Sequence, residues 1–81
     1  MTRDEALDEV RRAMAELFAL DAGDITAASR LREDLGLDSV DGADLAARLQ
    51  GPGGRRFDER SLRAAKTAGD VAALLEASRG G

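Results

Sequence analysis

The side chains best placed for chemistry in this chain lie in one stretch, Asp34-Leu35-Gly36-Leu37-Asp38-Ser39-Val40. The stretch sits where an irregular segment gives way to a helical pattern, so Ser39 falls at the opening of a helix. Amides in the first turn of a helix lack intrahelical partners and carry partial positive charge, which suits a phosphate on a serine placed there. A plain structural role suits the same serine, because Ser is a favoured N-cap. Position alone does not choose between them. Asp38, Asp41 and Asp44 follow one another at intervals of three, a run of neighbouring carboxylates around the start of that helix. As a metal site the acidic residues are poorly arranged, since Asp34, Asp38 and Asp41 lack the ligand order and closing glutamate of an EF-hand loop. Hydrolysis by paired carboxylates is also a weak reading, with no histidine and little chain to shape a pocket.

The elements that must position Ser39 have little material to work with. A chain of 81 residues makes one domain and buries only roughly 60% of its unfolded surface. Alanine supplies nearly half of the apolar 43%. The core must therefore come from leucines together with Val10, Met14, Phe18, Ile25, Val40, Phe57 and Val71. Cysteine is absent, which excludes disulfides, thiolate metal sites and thiol chemistry by the protein itself. Sixteen acidic against twelve basic residues give a net charge of −4, which disfavours nucleic-acid binding and favours partners with basic docking surfaces. The charged N-terminus and the lack of a long apolar run lead us to expect a cytoplasmic protein with no membrane span.

Helical periodicity organises the rest. Leu7, Val10, Met14, Leu17 and Phe18 form a stripe between Arg3 and Leu20, and Thr2 with Glu5 has capping-box spacing at its start. From Asp21 to Asp38 the period lapses into a long loop pinned by Ile25, Leu31, Leu35 and Leu37. A second helix is predicted from Ser39 to Gln50, with Val40, Leu45 and Leu49 as its large apolar residues and Ala43 and Ala46 packed beside them, stopped by Gly51-Pro52-Gly53-Gly54. A short third helix fits Phe57 to Ala65. The last runs from a start at Thr67-Ala68-Gly69-Asp70 to Ser78, burying Val71, Leu74 and Leu75 and leaving a frayed tail from Arg79. The expected fold is all-α: a small four-helix bundle of three main helices and a short third one, with a long loop between helices one and two.

The motif around Ser39 resembles the phosphopantetheine attachment motif of acyl carrier proteins, whose usual form is Asp-Leu-Gly-x-Asp-Ser-Leu. Chain length and helix order agree with that family along nearly the whole sequence. The resemblance implies that Ser39 receives phosphopantetheine from coenzyme A by the action of a phosphopantetheinyl transferase. It further implies that acyl groups ride on the arm as thioesters, so that the protein presents substrates and catalyses nothing itself. Asp38, Asp41 and Asp44 become docking contacts for basic residues of that transferase and of the pathway's acyltransferase, ketosynthase or ligase enzymes. Val40 matches the apolar residue that follows the serine and either meets partners or covers the core. A free-standing monomer is expected.

The family's pattern is not met everywhere. Many fatty-acid carriers continue helix two with glutamates and an aromatic residue, whereas this chain has Gln50-Gly51-Pro52-Gly53-Gly54-Arg55-Arg56, and Arg48 adds positive charge at the same end. Together with an Ala-, Arg-, Gly- and Asp-rich composition, this favours a carrier of a bacterial polyketide or other specialised pathway over one of fatty-acid synthesis. Peptidyl carriers usually have Gly where this chain has Leu37. From a different class, an unmodified helical adaptor would use the acidic face for binding alone.

Overall fold

The computed structural model describes residues 2–50 and 59–80. Among them are the helices α1 (Arg3–Phe18), α2 (Ser39–Gln50), α3 (Glu59–Ala64) and α4 (Ala68–Gly80), and no β-strand. The third is the short one, six residues against sixteen, twelve and thirteen. The expected start of α3 at Phe57 and the Gly-Pro-Gly-Gly stop after α2 lie outside the described residues. The last helix, expected to end at Ser78, continues to Gly80, which corrects the frayed tail expected there at Arg79 and Gly80, while Gly81 lies outside the described residues. Between Asp70 and Arg79 the sequence holds no Gly or Pro to end the helix, so each added residue gains a backbone bond.

Reciprocal caps define where α1 and α4 begin. At α1 the Glu5 amide donates to Thr2 Oγ1 at 3.2 Å and the Thr2 amide to Glu5 Oε1 at 2.9 Å, the capping box that the spacing predicts. At α4 the Asp70 amide donates to Thr67 Oγ1 at 3.1 Å, while Asp70 Oδ2 accepts from the amides of Lys66 and Thr67 at 3.0 and 3.2 Å.

The core is built from Val10, Met14, Ile25, Leu45, Val71 and Leu75, all fully buried, with Ala6, Ala13, Ala46, Ala68 and Ala72 closing the gaps between helices. Small residues dominate where α1 meets α4, the most extensive helix pair, so the backbones approach closely there. Two sequence expectations about buried residues fail. Leu17 stands 37% exposed, because the buried stripe of α1 is centred on Ala6, Val10, Ala13 and Met14. Val40 is 67% exposed and belongs to the surface.

The long loop is tied down rather than loose. Asp21 Oδ1 caps a short 3₁₀ helix at Ala22–Asp24 through the Gly23 amide, and the Arg11 guanidinium donates twice to the Ala22 carbonyl, at 3.0 and 2.8 Å. Ile25 then anchors the chain in the core. Beyond it, three backbone bonds lace the loop to the α3–α4 connection: Leu31 to the Lys66 carbonyl at 2.9 Å, Ala68 to that of Ser29 at 3.0 Å, and Gly69 to that of Ala27 at 2.9 Å. At the last contact a Cβ on residue 69 would stand 2.8 Å from the Ala27 carbonyl oxygen and 3.2 Å from its Cβ. Gly69→Ala is therefore expected to cost about 1–3 kcal/mol, as overpacking of a well-packed site does. Urea denaturation should show a lower midpoint with an unchanged slope.

Candidate functional site

The approach to Ser39 is a chain of small backbone devices. Asp34 Oδ2 accepts from the Arg30 amide at 2.8 Å, and the amides of Asp34 and Leu35 return to the Arg30 carbonyl at 2.9 and 3.1 Å. Gly36 leaves that turn with φ +69, in the left-handed region where any side chain meets the following carbonyl. No heavy atom lies within 4 Å of a Cβ built there, so it is the backbone angle that requires glycine. Leu37 drops into the core and its amide bonds the Leu31 carbonyl at 2.9 Å. The result fixes Asp38 and Ser39 at the point where α2 starts.

Asp38, not Ser39, caps the helix. Its Oδ1 accepts from the amides of Val40 and Asp41, both at 3.0 Å, and its carbonyl accepts the first intrahelical bond from Gly42 at 3.0 Å. Asp41 Oδ2 completes a capping box by accepting from the Asp38 amide at 3.1 Å. Ser39 is thereby released from the structural role its position offered. It is the first helical residue, exposed, and among the described residues no hydrogen bond uses its hydroxyl. The same geometry corrects the expectation that free first-turn amides await a phosphate: two of them already serve the Asp38 carboxylate.

Beside Ser39 a groove of about 290 Å³ opens between α2 and α3. Its lining is mostly apolar, with Leu31, Leu37, Leu45 and Leu62 as walls. Ala43 faces it rather than packing against a neighbouring helix, whereas Ala46 is buried in the core, so the two alanines that the sequence left equivalent have separate roles. Gly42 also lines the groove, and a Cβ built there meets nothing within 4 Å. Its lack of a side chain leaves the space beside Ser39 open. For scale, an enclosed apolar cavity of about 150 Å³ holds a benzene molecule.

A family profile described as the phosphopantetheine attachment site matches residues 8–75. The chain belongs to the acyl carrier protein family. Acyl carrier protein 2 of Ralstonia nicotianae is 38% identical over 76 residues, covering 94% of both chains. An acyl carrier protein of Saccharopolyspora erythraea is 35% identical over 74 residues, 91% of this chain and 78% of its own length. One of Thermotoga maritima is 29% identical over 79 residues, 98% of each chain. The cofactor of the family is phosphopantetheine, covalently attached. An exposed serine hydroxyl beside an apolar groove, with no competing hydrogen bond among the described residues, fits such a group.

The acidic run of this family member is not uniform. Asp38 and Asp41 are committed to the capping box through Oδ1 and Oδ2 respectively, whereas Asp44 lies further along α2 and is exposed. Among the described residues no group of three or more acidic side chains is gathered as a metal site would need. Arg48 pairs with Glu16 of α1, so one of the cations that interrupt the acidic face is neutralised within the fold. Arg55 and Arg56 lie outside the described residues. No described helix is long and apolar enough to cross a membrane.

Hydrogen bonds at the helix starts and at the turn before Ser39 act on the carboxylates that accept them. The Asp41 amide first, then the Val40 amide and the nearby Arg32 charge, hold Asp38 below its ordinary pKa. Glu5 is lowered by its bonds from Thr2, Asp34 by those from Arg30, and Asp70 by the amides of Lys66 and Thr67. A carboxylate whose pKa is depressed by folding adds stability that is fully present above its unfolded pKa and is lost as pH falls through the folded one. Thermal melts should therefore hold steady down to about pH 5 and then fall, most steeply below the ordinary carboxylate values of about 3.9 for Asp and 4.3 for Glu. A melting temperature unchanged at about pH 3 would contradict these caps.

The sequence reading missed two kinds of residue. Asp34 looked like part of a functional motif and proves to hold a turn. Arg32 and Arg63, which line the groove, carried no sequence signal, because only folding brings a loop and α3 to the same opening.

Proposed function

We propose that Ser39 carries the phosphopantetheine arm and that the protein presents acyl intermediates to the enzymes of a specialised biosynthetic pathway. The observation that carries the reading is the division of labour at α2: Asp38 caps the helix, and the adjacent hydroxyl is exposed and unengaged among the described residues. In the attachment step, Ser39 Oγ forms a bond to the phosphorus of coenzyme A nearest the pantetheine. The pyrophosphate linkage to the nucleotide breaks, the nucleotide bisphosphate leaves, and the hydroxyl proton passes to the transferase. When attached, the group supplies a thiol, which this cysteine-free chain lacks, and holds cargo as a thioester.

Docking falls to Asp38, Val40, Asp41 and Asp44. Val40, at 67% exposure, offers an apolar contact directly beside Ser39. Asp38 and Asp41 each have a second carboxylate oxygen outside the capping box, and Asp44 extends the negative face for Arg and Lys of a transferase, acyltransferase, ketosynthase or ligase. The shortened acidic face and the composition support a polyketide or related pathway over fatty-acid synthesis.

Intact-mass analysis after incubation with coenzyme A, magnesium and a broad-specificity transferase tests the reading. One phosphopantetheine per chain is expected. No addition to folded protein, with the transferase active on a control carrier, would favour an unmodified adaptor or a carrier that needs its own dedicated transferase.

A further inference from the structure

The structure leaves a phosphodiester at Ser39 with an electrostatic difficulty. The amides of Val40 and Asp41, the natural anion donors of this helix end, already donate to Asp38 Oδ1. The Asp38 carboxylate adds its own negative charge there, in a protein of net charge −4. A second anion on the neighbouring residue is repelled unless cations meet it. Two are at hand. Arg32, from the loop before α2, and Arg63, from α3, line the same groove as Ser39 and Asp38. Neither guanidinium has an ion-pair or hydrogen-bond partner among the described residues, in contrast to those of Arg3, Arg11, Arg12, Arg30 and Arg48, which are all engaged. Arg32 lies close enough to Asp38 for its charge to act on that carboxyl.

Resting on the reading of Ser39 as the attachment site, we propose that Arg32 and Arg63 form a guanidinium clamp for the phosphodiester on Ser39 and so hold the base of the arm over the α2–α3 groove. Guanidinium presents a planar fork of donors that matches a phosphate's oxygens, which makes Arg the suitable residue for the task. Arg32 from the loop before α2 and Arg63 from α3 would meet the phosphate from two separate elements that line the groove. The two arginines are positioning residues: they orient the arm and take no part in forming or breaking its bonds.

The test compares apo and holo protein by NMR of the arginine side-chain Nε–H groups, after mass analysis has shown how much arm is attached. In holo protein the Arg32 and Arg63 signals should move, and their exchange with water should slow roughly twofold to fivefold, the range expected of exposed ion pairs. Both effects should vanish at about 1 M salt, where the screening length is about 3 Å. Arg12, paired with Asp8 on α1, should not respond. In an R32Q/R63Q double variant, attachment should still occur, and the ³¹P signal of the arm should lose its salt dependence. Full attachment with Arg32 and Arg63 unchanged would overturn the clamp alone, and shifts confined to the Val40 and Asp41 amides would assign the phosphate to the helix end instead. An absent mass gain, with the transferase active on a control carrier, would count against the carrier reading, and against the clamp with it.

Discussion

Ser39→Ala is expected to abolish the addition of phosphopantetheine and to leave the melting temperature of the apo protein almost unchanged. Loss is expected to be complete rather than partial, because alanine has no oxygen to bond the phosphorus and no neighbouring hydroxyl replaces it at the start of α2. The unchanged stability follows from the cap. Asp38 makes the hydrogen bonds that organise this helix end, while the Ser39 hydroxyl makes none with the described residues. Exposed substitutions away from such features stay within about 0.5 kcal/mol, and Ala is the better helix former. Asp38→Ala gives the opposite pattern: it keeps the hydroxyl but removes the acceptor for two first-turn amides, so its melting temperature should fall. Parallel mass spectra and thermal melts of the two variants check this. A Ser39→Ala protein that melts well below the wild type would show that the serine, after all, supports the helix.

The largest loss of stability is expected from Leu45→Ala. Leu45 is 1% exposed, sits in the core from α2, and also forms part of the groove wall. Removing its branched end takes away buried apolar surface and leaves a cavity that the tied-down helices cannot fully close, at a cost of about 2–5 kcal/mol. Domains of this size have total stabilities near the low end of 5–15 kcal/mol, so the variant should be substantially unfolded in moderate urea. Chemical denaturation followed by circular dichroism reads this out. Loss of less than about 1 kcal/mol would mean that the groove closes over the vacated volume.

Local signals in the chain were sufficient for much of this architecture. Thr2 with Glu5, and Thr67 with Asp70, place two helix starts because a cap is a contact between residues three apart and needs no tertiary partner. The stretch Asp34 to Val40 likewise carried the family assignment, since the turn that Asp34 and Gly36 make is encoded within it. Helix faces were less legible. Leu17 and Val40 fit an apolar period yet lie outside the core, because which arc of a helix is buried depends on how closely its neighbours approach. For Leu17 the small side chains of α1 and α4 set that approach, whereas Val40 stands in the exposed first turn of α2. The exchange of roles between Asp38 and Ser39 also lay beyond periodicity, for both are good caps and one residue of register separates them. What remained for the tertiary structure was the site's surroundings: the groove, the separation of Ala43 from Ala46, and the meeting of Arg32 with Arg63. Those features join segments distant along the chain, and they exist only because Ile25 and the backbone bonds to residues 66–69 draw the loop against α4.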